Sequence, residues 1–231
     1  MSIRNQMIHK QMNNAVLALA GLHTGHTVLV GGFGSAGLPT TLINAVLETD
    51  AWDLTIVSNN AGYDREGVAI LIEEGRVKKL ICSYPLTAGA TAFRRAYAEG
   101  KVELELVPQG TLVERIRCAG AGLGGFLSPI SVGTPLAEGK PVQTWNGRQY
   151  VLEFPLHADF ALVRARFADR IGNLSYHLSG MNFNPVMAMA AHVVVAEVDE
   201  ILALGDIDPE RVGTPSIFVD RLVLASTPQV A

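Results

Sequence analysis

Only two cysteines, Cys82 and Cys118, occur in the 231 residues of this chain. That excludes a disulfide scaffold and fits a reducing, cytoplasmic setting. Cys82 closes an apolar strand-like run and Cys118 sits in a helix-like one, so both read as core thiols rather than ligands or nucleophiles. The six histidines show no ligand spacing, and no metal is expected. Charged residues make up only 17% of the chain and the net charge is −4, so no basic field invites nucleic acid. No run reaches the roughly 20 apolar residues of a membrane span. The longest apolar stretch, Val186 to Ala196, is interrupted by His192. Met1–Gln6 has no apolar core of a signal peptide, and the last residues, Val230 and Ala231, are expected to fray. Internal repeats, low-complexity tracts and long linkers are also missing.

What the chain has in abundance is apolar residues, at 48%, and glycine, at 23. It is long enough to bury a core as one domain spanning 1–231. Short β-branched runs at Val28–Val30, Leu54–Val57, Val77–Cys82, Val102–Val107 and Phe160–Ala165 predict strands. Helical patterns lie between them at 39–48, 65–74, 89–99 and 110–117, after an amphipathic leading helix at 5–20. This alternation predicts an α/β fold: a doubly wound, mainly parallel sheet with flanking helices. A Gly- and Pro-rich stretch at about 119–152 breaks the rhythm. It predicts a small antiparallel excursion, with Phe126, Leu127 and Trp145 as exposed apolar residues.

The most informative stretch is Val28-Leu29-Val30-Gly31-Gly32-Phe33-Gly34-Ser35-Ala36-Gly37-Leu38-Pro39, followed by a helical pattern. A strand ends in a glycine turn and a helix begins. Glycine lets backbone amides approach a ligand, and the helix end adds free N–H groups with partial positive charge. Such a place suits a phosphate, a carboxylate or a developing oxyanion. Gly32, Gly34 and Gly37 also fit G-x-G-x-x-G, but a dinucleotide site needs an acidic residue at the end of the second strand. That strand ends in Ser58-Asn59-Asn60, which disfavours an NAD-dependent oxidoreductase. A non-catalytic anion-binding α/β protein is the other alternative from outside acyl chemistry.

Other polar residues read as structural. His157 and Asp159 could pair for catalysis, but hydrogen bonding to backbone near a turn is the simpler role. Asp199-Glu200 reads as a solvated helix end or loop. Met181, Met187, Met189 and Phe183 read as helix packing, and Asp208-Pro209-Glu210 as a helix start or turn.

The stretch Gly25 to Pro39 resembles the signature of class I coenzyme A transferases, with Thr24 where that family usually has Asp or Asn. The resemblance extends through Val57-Ser58-Asn59-Asn60-Ala61-Gly62, Val107-Pro108-Gln109-Gly110-Thr111-Leu112, Glu114-Arg115-Ile116-Arg117, Asn182-Phe183-Asn184 and Pro215-Ser216-Ile217-Phe218-Val219-Asp220. It implies transfer of CoA from an acyl-CoA to a free carboxylate, with the CoA thioester as substrate and no permanently bound cofactor. Such enzymes use a glutamate nucleophile in a Ser-Glu-Asn-Gly-type motif. No Glu-Asn-Gly occurs here, and Glu48, Glu73, Glu74, Glu103, Glu105 and Glu114 read as solvated surface. The chain therefore resembles the A, or α, subunit of a two-chain enzyme. The resemblance implies a homologous β subunit carrying the catalytic Glu, in an α2β2 or similar heteromer. It also implies Gln109 as oxyanion donor, Asn59 and Asn60 facing the substrate carboxylate or thioester carbonyl, and Gly31, Gly32, Phe33, Gly34, Ser35, Ala36 and Gly37 lining the acyl or CoA site. Cys82-Ser83-Tyr84-Pro85, Tyr150 to Phe160 and Met187 to Ala191 most resemble the branch acting on succinyl-CoA and 3-oxoadipate; the acetoacetate and acetate branches are the alternative. Arg65, Arg94 and Arg95 are candidates for a distal substrate carboxylate.

Overall fold

The computed structural model describes residues 8–86 and 89–226. The expectations for Met1–Gln6 and for Val230 and Ala231 lie outside those residues.

The order of elements is α1 (Ala15–Ala18), β1 (Thr27–Val30), α2 (Thr40–Leu47), β2 (Leu54–Asn60), α3 (Val68–Glu73), β3 (Val77–Tyr84), α4 (Thr91–Ala98), β4 (Glu103–Leu106) and α5 (Gln109–Gly120). Three short strands follow, β5 (Phe126–Ser128), β6 (Val142–Trp145) and β7 (Arg148–Glu153). The chain then returns through β8 (Ala158–Asp169), β9 (Leu174–Ser175), α6 (Asn184–Ala188), β10 (Ala191–Leu202) and β11 (Arg221–Leu224).

The main sheet runs β11-β10-β8-β1-β2-β3-β4, and every neighbouring pair along that path is parallel. The short β9 joins it antiparallel, beside β8. The strands alternate between two apolar layers, as period-two side chains must. Val28, Val30, Ile56, Leu80 and Leu162 join the layer containing α2, α3 and α4. Leu29, Val57, Ile81, Ala161 and Val163 join the layer containing α5 and α6. Burial on both faces explains why these strands read as unbroken apolar runs. Each fully buried Val, Leu or Ile is worth roughly 1.5–3 kcal/mol against exposure. The fold is the expected doubly wound α/β sheet, and 119–152 does form an antiparallel excursion, with order β5-β7-β6.

Three expectations change. Among the described residues, the leading helix covers only Ala15–Ala18, because Gln11 pairs with Leu222 as an extended bridge instead; residues 5–7 of the expectation lie outside them. Asp199-Glu200 lies inside β10, not at a helix end. Its acidic residues fall on a strand because Glu197 stands directly opposite Arg164 on β8 in the parallel register. Finally, Phe126 and Leu127 are half-buried, whereas Trp145 is open to solvent.

Candidate active site

In an open parallel sheet, ligands are expected at the carboxyl ends of the strands, where the strand order reverses. Here the order reverses between β1 and β8. That crevice is filled by the chain itself. Asn184, fully buried at the start of α6, accepts a hydrogen bond from Arg164 N (2.9 Å). It donates to Gly37 O (3.0 Å) and Gly180 O (2.9 Å). Asn182 accepts from Gly32 N (3.2 Å) and donates to Ala36 O (3.0 Å). These two amides clamp the glycine turn from behind. A Cβ on Gly31 would run into Asn184 Oδ1, and one on Gly37 into Gly180 O. Gly31 and Gly37 are therefore glycines because of this packing. Ala36 and Gly37 face the clamp.

The helix end behind the turn is also not free. Glu197 is buried, and its carboxylate accepts from Leu42 N (3.1 Å) and Thr41 Oγ1 (3.0 Å) in the first turn of α2. Arg164 holds the same carboxylate and also Asp199. Burial pushes the Glu197 carboxyl above its ordinary range, against the pull of Arg164 and the α2 amides. The anion expected at this helix N-terminus is thus the protein's own. The amides of α2 are a fixing point for the turn rather than a ligand site.

The turn itself is duplicated. Gly32-Phe33-Gly34-Ser35-Ala36-Gly37-Leu38 follows β1, and Gly62-Tyr63-Asp64-Arg65-Glu66-Gly67-Val68 follows β2. Both close with a bridge between the aromatic residue and the residue three on, Phe33 with Ala36 and Tyr63 with Glu66. Positive φ falls at the same steps: Gly32 +114°, Gly34 +61° and Gly37 +67° against Gly62 +77°, Asp64 +45° and Gly67 +61°. The chain thus does contain a short repeat, which the substitution of Asp64 for glycine disguises in the sequence.

Beside these turns, at the ends of β1, β2 and β3, lies a cavity of about 440 Å³. Phe33, Gly34, Asn59, Asn60, Tyr63, Ser83, Tyr84 and Gln109 line it, and none of them is charged. Phe33, Gly34, Asn59, Asn60 and Gln109, all expected at the site from sequence, come together here. Gly31, Gly32 and Ser35 border the narrow space between the two turns. Tyr63, Ser83 and Tyr84 were not anticipated; the recurring Gly-aromatic-x-x-x-Gly spacing at 32–37 and 62–67 was the available signal for Tyr63.

The polar groups in the cavity are ordered by one another. Asn59 Oδ1 accepts from Ser83 Oγ (2.8 Å) and Gln109 Nε2 (2.6 Å). Its carbonyl is saturated, which turns the amide nitrogen of Asn59 into the group left to donate. Asn60 Oδ1 accepts from Gly62 N (2.8 Å), which likewise frees its NH2. Gln109 is the first residue of α5, after Pro108, and no side chain caps that helix. The helix end in this region without a side-chain cap is that of α5, whereas the first turn of α2 is held by Glu197.

Among the described residues, no acidic side chain lines the cavity. Two glutamates are buried rather than solvated, Glu197 as described and Glu153, which takes Lys140 Nζ at 2.9 Å. Glu105 is likewise held, by Lys79 (2.6 Å) and Arg115 (2.8 Å), which together keep its carboxyl below the usual range against the opposing effect of burial. Arg65, Arg94 and Arg95 do not line the cavity either. Arg65 reaches Glu73 and Glu74 at 3.6 and 3.8 Å, and Arg95 faces Glu73 near the amino ends of β3 and β4. His157 is exposed, while Asp159 accepts from Thr27 N (2.8 Å), the backbone role expected of it. Cys82 is fully buried, and that burial pushes its thiol up to about 12, as suits a core thiol. Among the described residues, no helix is long and apolar enough to cross a membrane.

The coenzyme A transferase family profile matches residues 12–225. The chain is 50% identical over 220 residues to the A subunit of the 3-oxoadipate CoA-transferase of Pseudomonas putida, covering 95% of each chain. It is 44% identical over 201 residues to the alpha subunit of the acetate CoA-transferase of Escherichia coli, covering 87% of this chain and 90% of that one. Among solved structures, glutaconate coenzyme A-transferase from Acidaminococcus fermentans superposes with a TM-score of 0.83 at 23% identity, over 94% of this chain and 75% of that one, a likeness of fold. The chain belongs to the coenzyme A transferase family.

Proposed function

We propose that this chain is the A component of a two-chain transferase that moves CoA from succinyl-CoA to a 3-oxoacid, with 3-oxoadipate as the acceptor. The observation that carries the reading is the cavity at the strand ends, whose described lining consists of neutral groups, hydrogen-bond donors among them, and no carboxylate. The relatives named as A and alpha subunits support the division of labour, and the higher identity to the 3-oxoadipate enzyme supports the acceptor.

The chemistry follows from what such a cavity offers. A glutamate of the β subunit first attacks the thioester carbonyl and expels CoA thiolate, leaving an acyl–glutamyl anhydride. The thiolate then attacks the glutamyl carbonyl. Succinate leaves, and a glutamyl–CoA thioester forms. The 3-oxoacid carboxylate attacks that thioester, releasing the thiolate again, which finally takes the new acyl group and restores the carboxylate. Each step passes through a tetrahedral oxyanion. One N–H of Gln109 is held by Asn59, and the other is the donor for that oxyanion. Asn59 and Asn60 orient the substrate carboxylate or thioester carbonyl. The glycine turn shapes the acyl site, and coenzyme A is a substrate, not a resident cofactor. The chain acts as one domain, with the excursion at 119–152 and its exposed Trp145 meeting the β subunit in an α2β2 or similar assembly in the cytoplasm.

The test is a transfer assay on this chain purified with a homologous β subunit. CoA should pass from succinyl-CoA to 3-oxoadipate with a kcat/KM well above that for acetate or acetoacetate. The chain alone should be folded and inactive. Preference for acetate would move the chain to the other branch. Activity without the β subunit would end the two-chain reading.

A further inference from the structure

The duplicated turn carries one chemical difference at the cavity. The first turn presents Phe33, 52% exposed, and the second presents Tyr63, 38% exposed. Both rings project from turns closed by the same backbone bridge and the same left-handed steps. The Tyr63 hydroxyl sits beside Gly34, 3.8 Å from where a Cβ would stand, in the wall that both turns share. No partner for that hydroxyl exists among the described residues.

We infer that Tyr63 is a specificity-determining residue whose hydroxyl donates a hydrogen bond to the distal carboxylate of a dicarboxylic acyl group, while Phe33 covers the carbon chain. This rests on the proposed reaction. In that reaction both acyl groups are bonded in turn to one glutamate, so they occupy one acyl site. Succinyl and 3-oxoadipyl groups differ in length and in the 3-oxo function, but each ends in a free carboxylate. A group that reads this shared feature serves both halves of the cycle. Among the described residues, the cavity lining holds no cation to do so. A hydroxyl donating to a carboxylate forms a short, charge-assisted bond, and a neutral donor of this kind still accepts acyl groups that lack the charge. Arg65, two residues further along the same turn, stands outside the lining and faces Glu73 and Glu74.

The experiment uses Tyr63→Phe and Arg65→Ala in the complex with the β subunit, measuring the rate of enzyme–CoA adduct formation from succinyl-CoA and from acetoacetyl-CoA. Tyr63→Phe should lower kcat/KM for succinyl-CoA about tenfold, as loss of one hydrogen bond to a charged group does. The value for acetoacetyl-CoA should stay nearly unchanged, and Arg65→Ala should leave the ratio of the two donors as it is. An equal fall for both donors, or no change, overturns the role of Tyr63 and leaves the transferase reading intact. A change of ratio in Arg65→Ala and not in Tyr63→Phe moves the role to the arginine. A wild-type complex that reacts with acetoacetyl-CoA but not with succinyl-CoA overturns both the proposed substrate and the inference.

Discussion

Gly37→Val should abolish transfer, and even Gly37→Ala should reduce it by more than about 100-fold. Two costs combine at this position. With φ at +67°, a β-branched side chain is a steric outlier there. A Cβ would also fall on Gly180 O and stand 2.8 and 2.9 Å from the amide nitrogens of Asn184 and Asn182. The substitution therefore pushes the turn off the clamp that holds it. Gly34 shares the positive φ, at +61°, but the nearest atom to its Cβ is the Tyr63 hydroxyl at 3.8 Å. Gly34→Ala has only backbone strain to bear on folding, roughly 1–2 kcal/mol, so its complex should stay folded, and its loss of activity reads the methyl group placed in the cavity. Circular dichroism and thermal melts of the complex separate loss of fold from loss of turn geometry. Near-normal turnover in Gly37→Ala would show that the turn is not held as described.

Gln109→Ala should lower kcat by on the order of 100-fold, as removal of one oxyanion donor typically does. Asn59 stays in place in this variant, because Ser83 continues to donate to its Oδ1. The loss is therefore of a donor and not of the cavity, and KM for succinyl-CoA should move little. Gln109→Glu should be worse. A carboxylate has the same shape, but it brings an acceptor to the 2.6 Å contact with Asn59 Oδ1 and offers nothing to an oxyanion. Steady-state kinetics of the three forms with succinyl-CoA and 3-oxoadipate make the comparison. A Gln109→Ala complex with ordinary kcat would remove this side chain from the chemistry.

The parts of the fold that were legible are those where a local rule and the tertiary structure agree. The runs Val28–Val30, Leu54–Val57 and Val77–Cys82 are apolar because both faces of the sheet are covered, and they read as strands for that reason. β10 was harder to read. Its Glu197, Asp199 and Glu200 break the apolar pattern, and only the register against Arg164 on β8, 33 residues earlier, explains a buried carboxylate in a strand. The same pairing hid the state of the α2 N-terminus. A helix end after a glycine turn reads as a vacant anion site unless the partner strand is known. Asn59, Asn60 and Gln109 were legible through the resemblance to the coenzyme A transferases; Asn59 and Asn60 end β2, and Gln109 follows β4. Asn184 was not legible as a clamp, because its partners Gly37 and Arg164 are distant in sequence. Tyr63 was hidden by Asp64, which takes the left-handed step that Gly34 takes in the first turn.

The central claim is that this chain supplies the oxyanion donor and the acyl cavity but not the nucleophile. Its most direct test is to incubate the complex of this chain and its β subunit with succinyl-CoA, trap the covalent intermediate, and locate it by mass spectrometry of the separated chains. The account predicts a CoA thioester on one β-subunit glutamate and none on this chain, which also stays unmodified when incubated by itself. A CoA adduct on any glutamate of this chain, whether Glu153, Glu197 or another, would contradict it.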